Sequence, residues 1–251
     1  MTGSSSREPL RLLRYGELDG TNDEAKRLAD AGAPAWSVIV ADSQRAGRGR
    51  RGRSWQSPPG NLYMSAILRP STSLAAAAQL GFAAALAVGE ALVPSLPHAS
   101  VLCYKWPNDV LVDGAKIAGI LLESAAGAGQ GVDWVVAGIG INLASYPQET
   151  VYPATSLAAL GGSEVLPDRL LPELVDALRA WVERWEAEGF EPVRRAWLER
   201  ALGLGGSLGV RLPRESVTGR FVDLDRDGAL LLETATGPRR IAAGEIFSAA
   251  A

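Results

Sequence analysis

The apolar positions along the chain change period several times, and each change marks an element. Residues 1–9 are polar and are expected to be disordered. Thr21 and Asn22 precede an Ala/Leu-patterned run that ends near Gly32, which predicts a helix with either residue available as its N-cap. Trp36–Asp42 (WSVIVAD) and Leu62–Leu68 have strand character. Between them lies a polar loop, QRAGRGRRGRSWQSPPGN. Leu74–Val93 is Ala-rich but carries Gln79 and Glu90, which suits a helix packed closely on a sheet better than a membrane span. Val101–Lys105 predicts a short strand broken by WPND. Val110–Val112 and Lys116–Glu123 predict a hairpin about Asp113-Gly114, a dipeptide suited to a tight turn.

Trp134–Asn142 (WVVAGIGIN) is an apolar strand with glycines near its end. Asp168–Glu188 has leucines and tryptophans three to four residues apart, the mark of an amphipathic helix, and a further helix is expected over Phe190–Leu202. The composition then shifts. GLGGSLG reads as a linker, followed by short alternating strands at Val210–Leu212, Val217–Leu224, Ala229–Glu233 and Arg239–Ala242, with a turn at Asp227-Gly228. The expected organisation is a main domain over residues 1–204 and a small β-barrel over 205–251. Helices interleaved with hairpin-linked strands predict an α+β fold with a mixed sheet, rather than a doubly wound parallel one.

Composition narrows the chemistry. The net charge of -3 gives no support for a chain that binds nucleic acid through bulk charge. One cysteine, Cys103, excludes a disulfide framework within the chain and fits a reducing cytoplasm. One histidine, His98, in a Pro-rich turn, leaves little room for Ser-His-Asp, Cys-His or multi-histidine metal chemistry. The amino end has no apolar stretch of the kind that marks a signal peptide.

Five arginines, Arg45, Arg48, Arg50, Arg51 and Arg53, fall within nine residues with glycines between them. Arginine offers a permanent, planar, bidentate donor to phosphate or carboxylate, and glycine lets the backbone approach a ligand. The cluster repels itself and is expected to be mobile until an anion neutralises it. Composition alone leaves it balanced between a phosphate cradle and a solvated basic loop. In KWPNDVLV, Pro107 forces Trp106 out of helical geometry, and the bend presents Lys105, Asn108 and Asp109 together. A lysine beside a carboxylate can serve an α-phosphate and a magnesium ion, or the segment is only a structural turn. Lys116 opens the strand KIAGILLES, and Gly138–Asn142 (GIGIN) could let a ligand pack on a strand or could simply pack the strand itself.

Taken in order, GTN (Gly20–Asn22), QRAGRGRRGRSW, KWPNDVLV, KIAGILLE, GIGINL and the final DRDGALLLETATGPRRIAAGEI closely resemble the biotin–protein ligase family over about residues 12–247. The resemblance implies a class II aminoacyl-tRNA synthetase-like catalytic domain and a small SH3-like C-terminal barrel. It implies two steps: biotin and MgATP form biotinyl-5'-AMP and pyrophosphate, and a lysine of a biotin carboxyl carrier protein domain then takes the biotin. Position by position it implies biotin contacts at Gly20, Thr21, Asn22, Gln44, Gly47, Arg48, Gly49, Arg50, Lys116 and Gly119. It places the nucleotide at Arg50, Arg51, Arg53, Trp55, Lys105, Asn108 and Asn142, with Asp109 toward Mg²⁺. Lys105, Arg48, Arg50 and Lys116 would carry the chemistry. Many members have Ser where this chain has Gly20, which removes a hydroxyl that would bond the ureido group of biotin.

The same resemblance implies a cytoplasmic monomer or weak homodimer without DNA or membrane partners. About 20 residues precede GTN, too few for a helix-turn-helix domain, so no repressor role is expected. A lipoate-type acyl-adenylating ligase is the alternative within this chemistry, and a nucleic-acid-binding module is the alternative outside it.

Overall fold

In chain order the elements are β1 (Arg11–Leu18), α1 (Thr21–Asp30), β2 (Ser37–Gln44), β3 (Leu62–Leu68), α2 (Leu74–Ala77), α3 (Leu80–Leu92), β4 (Leu102–Lys105), β5 (Asp109–Val112), β6 (Ala115–Ala126) and β7 (Val132–Ile141). There follow α4 (Pro167–Glu188), α5 (Phe190–Leu198), β8 (Ser207–Arg211), β9 (Ser216–Leu224), β10 (Leu230–Thr234), β11 (Gly237–Ile241) and β12 (Glu245–Phe247). This computed structural model describes residues 8–127, 129, 131–162 and 166–247. The expectation of disorder therefore lies outside the described residues for 1–7, whereas Glu8 is held through its carbonyl by the Arg179 guanidinium at 2.6 Å.

Seven strands form one mixed sheet in the order β1-β2-β3-β7-β6-β5-β4. Only β1 and β2 run parallel; every other pair is antiparallel, in keeping with the hairpin-rich pattern. The turn between β5 and β6 has positive φ at both central residues, Asp113 and Gly114, which is why that dipeptide is there. α3 is buried almost all round between the sheet and α4, so its alanines allow close approach on two sides. The segment Leu74–Ser95 is long and apolar enough to cross a membrane by composition alone, but it is spent on this core. α4 turns Leu170, Leu171, Leu174, Leu178 and Val182 inward and stops at Gly189, whose φ of 78° ends the helix.

Five strands form a second, antiparallel sheet in the order β11-β10-β9-β8-β12. Some segments differ from the sequence reading. β1 and β12 are additional strands. The GLGGSLG segment is strand from Ser207 onward, because Gly209 lies beneath the Phe247 ring. The helix expected to reach Leu202 stops at Leu198, since residues 200–202 bond to the edge of β4 through Tyr104 N to Arg200 O and Leu202 N to Tyr104 O.

Candidate active site

Strand register builds the floor of the site. Lys105 pairs with Asp109, Asp109 with Gly119, Gly119 with Gly140, and Gly140 with Tyr63. Cross-strand partners share a face, so one row runs from an ammonium through a carboxylate onto two bare backbones. The adjacent row sets Ser65, Gly138 and Leu121 side by side. The glycines are required by what lies on them. A Cβ on Gly138 would come within 2.0 Å of Asn22 Oδ1, and one on Gly140 within 2.7 Å of the Trp55 ring. Above this floor a recess is closed by the start of α1, the arginine loop and residues 244–246 of the small sheet.

The α1 side is a polar network. Gly20, in extended backbone, is the N-cap, and neither Thr21 nor Asn22 caps the helix, because both lie inside it and face the sheet. Gln44 Oε1 accepts from the Thr21 amide at 2.8 Å and its hydroxyl at 3.2 Å, while Gln44 Nε2 donates to Ser57 at 2.8 Å. The buried Ser65 hydroxyl lies 2.8 Å from Thr21 Oγ1 and 2.6 Å from Asn22 Oδ1. Asn22 Nδ2 donates to Leu121 O at 3.2 Å and to Glu123 at 2.9 Å. Burial would raise the Glu123 carboxyl, but bonds from Lys26 and Asn22 and the charge of Arg48 outweigh it and hold it below the usual range.

Four cations of the recess are engaged by side chains of the protein. Arg48 donates to Asp23 and lies 3.7 Å from Glu123. Arg53 grips Glu245 of β12 with both terminal nitrogens, one of them at 2.7 Å, and this bond above all holds the Glu245 carboxyl below its ordinary range. Lys116 Nζ sits 2.6 Å from Asp109 and 5.2 Å from the centre of the Trp55 ring. Arg50 Nη1 donates to Asn108 Oδ1 at 3.3 Å, and Asn108 is fixed to β6 by its own bond to Ile120 O at 2.7 Å. Burial pushes the Lys105 ammonium below the usual lysine range, against the opposing pull of Asp109. The repulsion expected within the arginine loop is thus offset at Arg48 and Arg53 by Asp23, Glu123 and Glu245, and residues 50–52 form a turn with Arg51 at a φ of 57°.

The residues expected from the sequence to form the site border this recess, with two exceptions. Gly47 lies behind it, where a Cβ would meet Ser57 Oγ and Trp55 O at 2.6 Å, so its part is to let the loop close. Asn142 is buried below it and donates to Thr155 O at 3.0 Å, tying down the segment after β7. Sequence reasoning missed Asp23, Ser65, Glu123 and Glu245. Asp23 adjoins the GTN motif and Glu245 lies in the final run that carries the resemblance, whereas nothing local marks Ser65. Among the described residues no group of three His, Cys, Asp or Glu side chains is placed to hold a metal ion.

Comparison with known proteins finds one family by sequence and by fold. Residues 19–142 match the Biotin/lipoate A/B protein ligase family, and residues 209–248 match the Biotin protein ligase C terminal domain. A biotin–[acetyl-CoA-carboxylase] ligase of Paracoccus denitrificans is 43% identical over 235 residues, 91% of this chain and 97% of that one. A biotin protein ligase from Aquifex aeolicus, solved in complex with biotin and ATP, superposes with a TM-score of 0.79 at 29% identity, covering 94% of this chain and 97% of that one. A Leishmania major biotin protein ligase solved with biotinyl-5-AMP gives a TM-score of 0.59 at 28% identity, covering 96% of this chain and all of that one (100%).

Proposed function

Because the chain belongs to the biotin protein ligase family, and is thus an ATP-dependent biotin–[biotin carboxyl carrier protein] ligase, we propose how its own residues divide the work. Biotin lies in the recess, its ureido end toward Thr21, Asn22, Gln44 and Ser65, and its carboxylate toward Arg48, Arg50 and Lys116. ATP lies over Asp109, Asn108 and Lys105, with Arg51, Arg53 and Trp55 completing its side. Gly20 then offers only backbone to the ureido end.

In the first step a biotin carboxylate oxygen bonds the α-phosphorus of ATP, the bond from that phosphorus to the bridging oxygen of the β-phosphate breaks, and pyrophosphate leaves. Two anions must meet, so positive charge fixed beside the reacting atoms lowers the barrier. In the second step the amine of a carrier-protein lysine bonds the acyl carbon and AMP leaves. The loop that carries Arg48 to Arg53 shields the anhydride from water until then. Magnesium would enter with the ATP phosphates and screen their charge, with Asp109 and Glu245 as the nearby carboxylates; one or two such ligands suffice for an ion of that kind. The reading is of a ligase alone, in a cytoplasmic setting. Its loop arginines meet carboxylates of the same chain instead of forming a basic face for nucleic acid.

The observation that carries this is the continuous row Lys105–Asp109–Gly119–Gly140, which joins a lysine and a carboxylate to two glycines over which the Trp55 ring lies. Biotin-dependent ATP–pyrophosphate exchange tests it, with lipoate as control. Exchange is expected with biotin only, and Lys105→Ala should reduce it by at least about a hundredfold with the fold intact. Exchange that follows lipoate, or a Lys105→Ala protein at the wild-type rate, would overturn it.

A further inference from the structure

Glu123 does not line the recess, but a line of hydrogen bonds runs from it to Thr21, which does. From Glu123 the line passes to Asn22 at 2.9 Å, to Ser65 at 2.6 Å and to Thr21 at 2.8 Å. Ser65 is fully buried, and Thr21 and Asn22 are more than nine-tenths buried, so these bonds form away from bulk solvent.

Each proton in the line has one possible place. The Glu123 carboxyl is held below the usual range, so it is a carboxylate that only accepts. The Leu121 carbonyl, 3.2 Å from the same Asn22 nitrogen, also only accepts. Turning the Asn22 amide over would set oxygen against both, so Nδ2 faces β6 and Oδ1 faces Ser65. Asn22 Oδ1 has no hydrogen to give, so its bond to Ser65 uses the single Ser65 proton. Thr21 must then give its own proton to Ser65 at 2.8 Å, with Gln44 Oε1 a longer second acceptor at 3.2 Å. Gln44 is fixed in the same way, because its Nε2 donates to Ser57, whose proton goes to Trp55 O at 3.0 Å. The Thr21 oxygen is therefore an acceptor, not a donor, toward whatever enters the recess.

We propose that Glu123 is a positioning residue for the substrate: through Asn22 and Ser65 it sets the Thr21 hydroxyl as an acceptor, so that the site selects a urea-like N–H of biotin at that point. This rests on the placement of the ureido end given above. A carbonyl oxygen or a ring sulfur in the same place would meet only lone pairs.

Calorimetric titration with biotin alone tests it. In Glu123→Gln, Lys26 takes the new amide oxygen and the amide nitrogen turns to Asn22. The Asn22 amide then turns over, Ser65 donates to Thr21, and the biotin Kd should rise about tenfold, the scale of one lost hydrogen bond. In a Ser65→Ala protein the line is cut, so the same Glu123→Gln change should move the Kd by less than about twofold. Asn22→Asp combined with Glu123→Gln exchanges donor and acceptor across their bond and returns the Ser65 proton to position 22. That pair should restore the Kd to within about threefold of the unsubstituted chain. A Glu123→Gln effect of equal size with and without Ser65 overturns the proposal, since it would then act through Lys26 or Arg48. So does a Glu123→Gln protein that binds biotin as tightly as the unsubstituted chain. Thr21→Val separates these failures from failure of the placement. Unchanged biotin binding by Thr21→Val puts the ureido end elsewhere and removes both readings, whereas weakened binding by Thr21→Val without any effect of Glu123→Gln refutes the role of Glu123 alone.

Discussion

Arg50 is half-buried, yet among the described residues its guanidinium donates only to the neutral side chain of Asn108, at 3.3 Å. Burial, and then the charge of Arg51, lower its pKa, so the free protein holds this guanidinium at a cost. Arg48 and Arg53 differ, since each meets a carboxylate. A cation kept where the fold gains nothing from it is a cation kept for a ligand. Arg50→Gly should leave the thermal midpoint within about 3 °C of wild type, a change of no more than about 1 kcal/mol for a chain of this size. It should also let the acyl-adenylate escape, so that lysines of a bystander protein acquire biotin. Streptavidin blotting of a non-carrier protein in the reaction reads this directly, and labelling no greater than wild type would remove Arg50 from the retention role.

At the scale of elements, β12 clasps the arginine loop through Glu245 and Arg53. The Glu245 carboxyl is held below its ordinary range, so the clasp contributes fully above the unfolded value of about 4.3 and is lost as the pH falls through the lower folded value. Glu245→Gln should lower the thermal midpoint at pH 7 by a few degrees, for a contribution of about 1 kcal/mol from a pair whose arginine is largely exposed. The difference should vanish well below about pH 4, and thermal unfolding of both proteins at the two pH values checks it. A difference that persists in acid would mean the loss is one of packing. This clasp was not legible in the sequence, because β12 is three residues long and is strand only by pairing with β8. β1 escaped notice for a related reason: as an edge strand it is exposed at Arg11, Leu12, Arg14, Gly16 and Glu17, and its register is set by β2 rather than by its own alternation. The hairpin of β5 and β6, the helix α4 and the glycines of β7 were legible, because turn chemistry and periodicity are local. The recess needed both kinds of information. The motifs named its cations, and only the fold supplies Asp23, Glu123 and Glu245 to hold them.

The molecule as a whole works through the contact between its two sheets. The Asp227-Gly228 turn of the small sheet enters the core of the large one: Gly228 has a φ of 83°, and a Cβ there would come within 2.7 Å of the Phe82 ring. Phe82 in turn packs edge-on against Phe190 and Trp197, with ring centres 5.3 Å apart in both pairs. Trp106, in the bend that carries Lys105 and Asn108, donates its indole N–H to Gly228 O at 3.0 Å. Gln79 donates to Arg226 O at 3.0 Å, and Arg194 to Leu224 O at 2.7 Å. The Lys105 end of the recess is therefore braced from the small sheet, and loss of that brace should be felt in both halves at once. Calorimetry of the intact chain should show one cooperative transition, with calorimetric and van't Hoff enthalpies in agreement. Phe82→Ala removes the ring that receives the turn and should destabilise the protein by about 3–5 kcal/mol. The expected outcome is one transition shifted as a unit. Separation into two transitions would show that the sheets fold independently and that Trp106 is fixed by the large sheet alone.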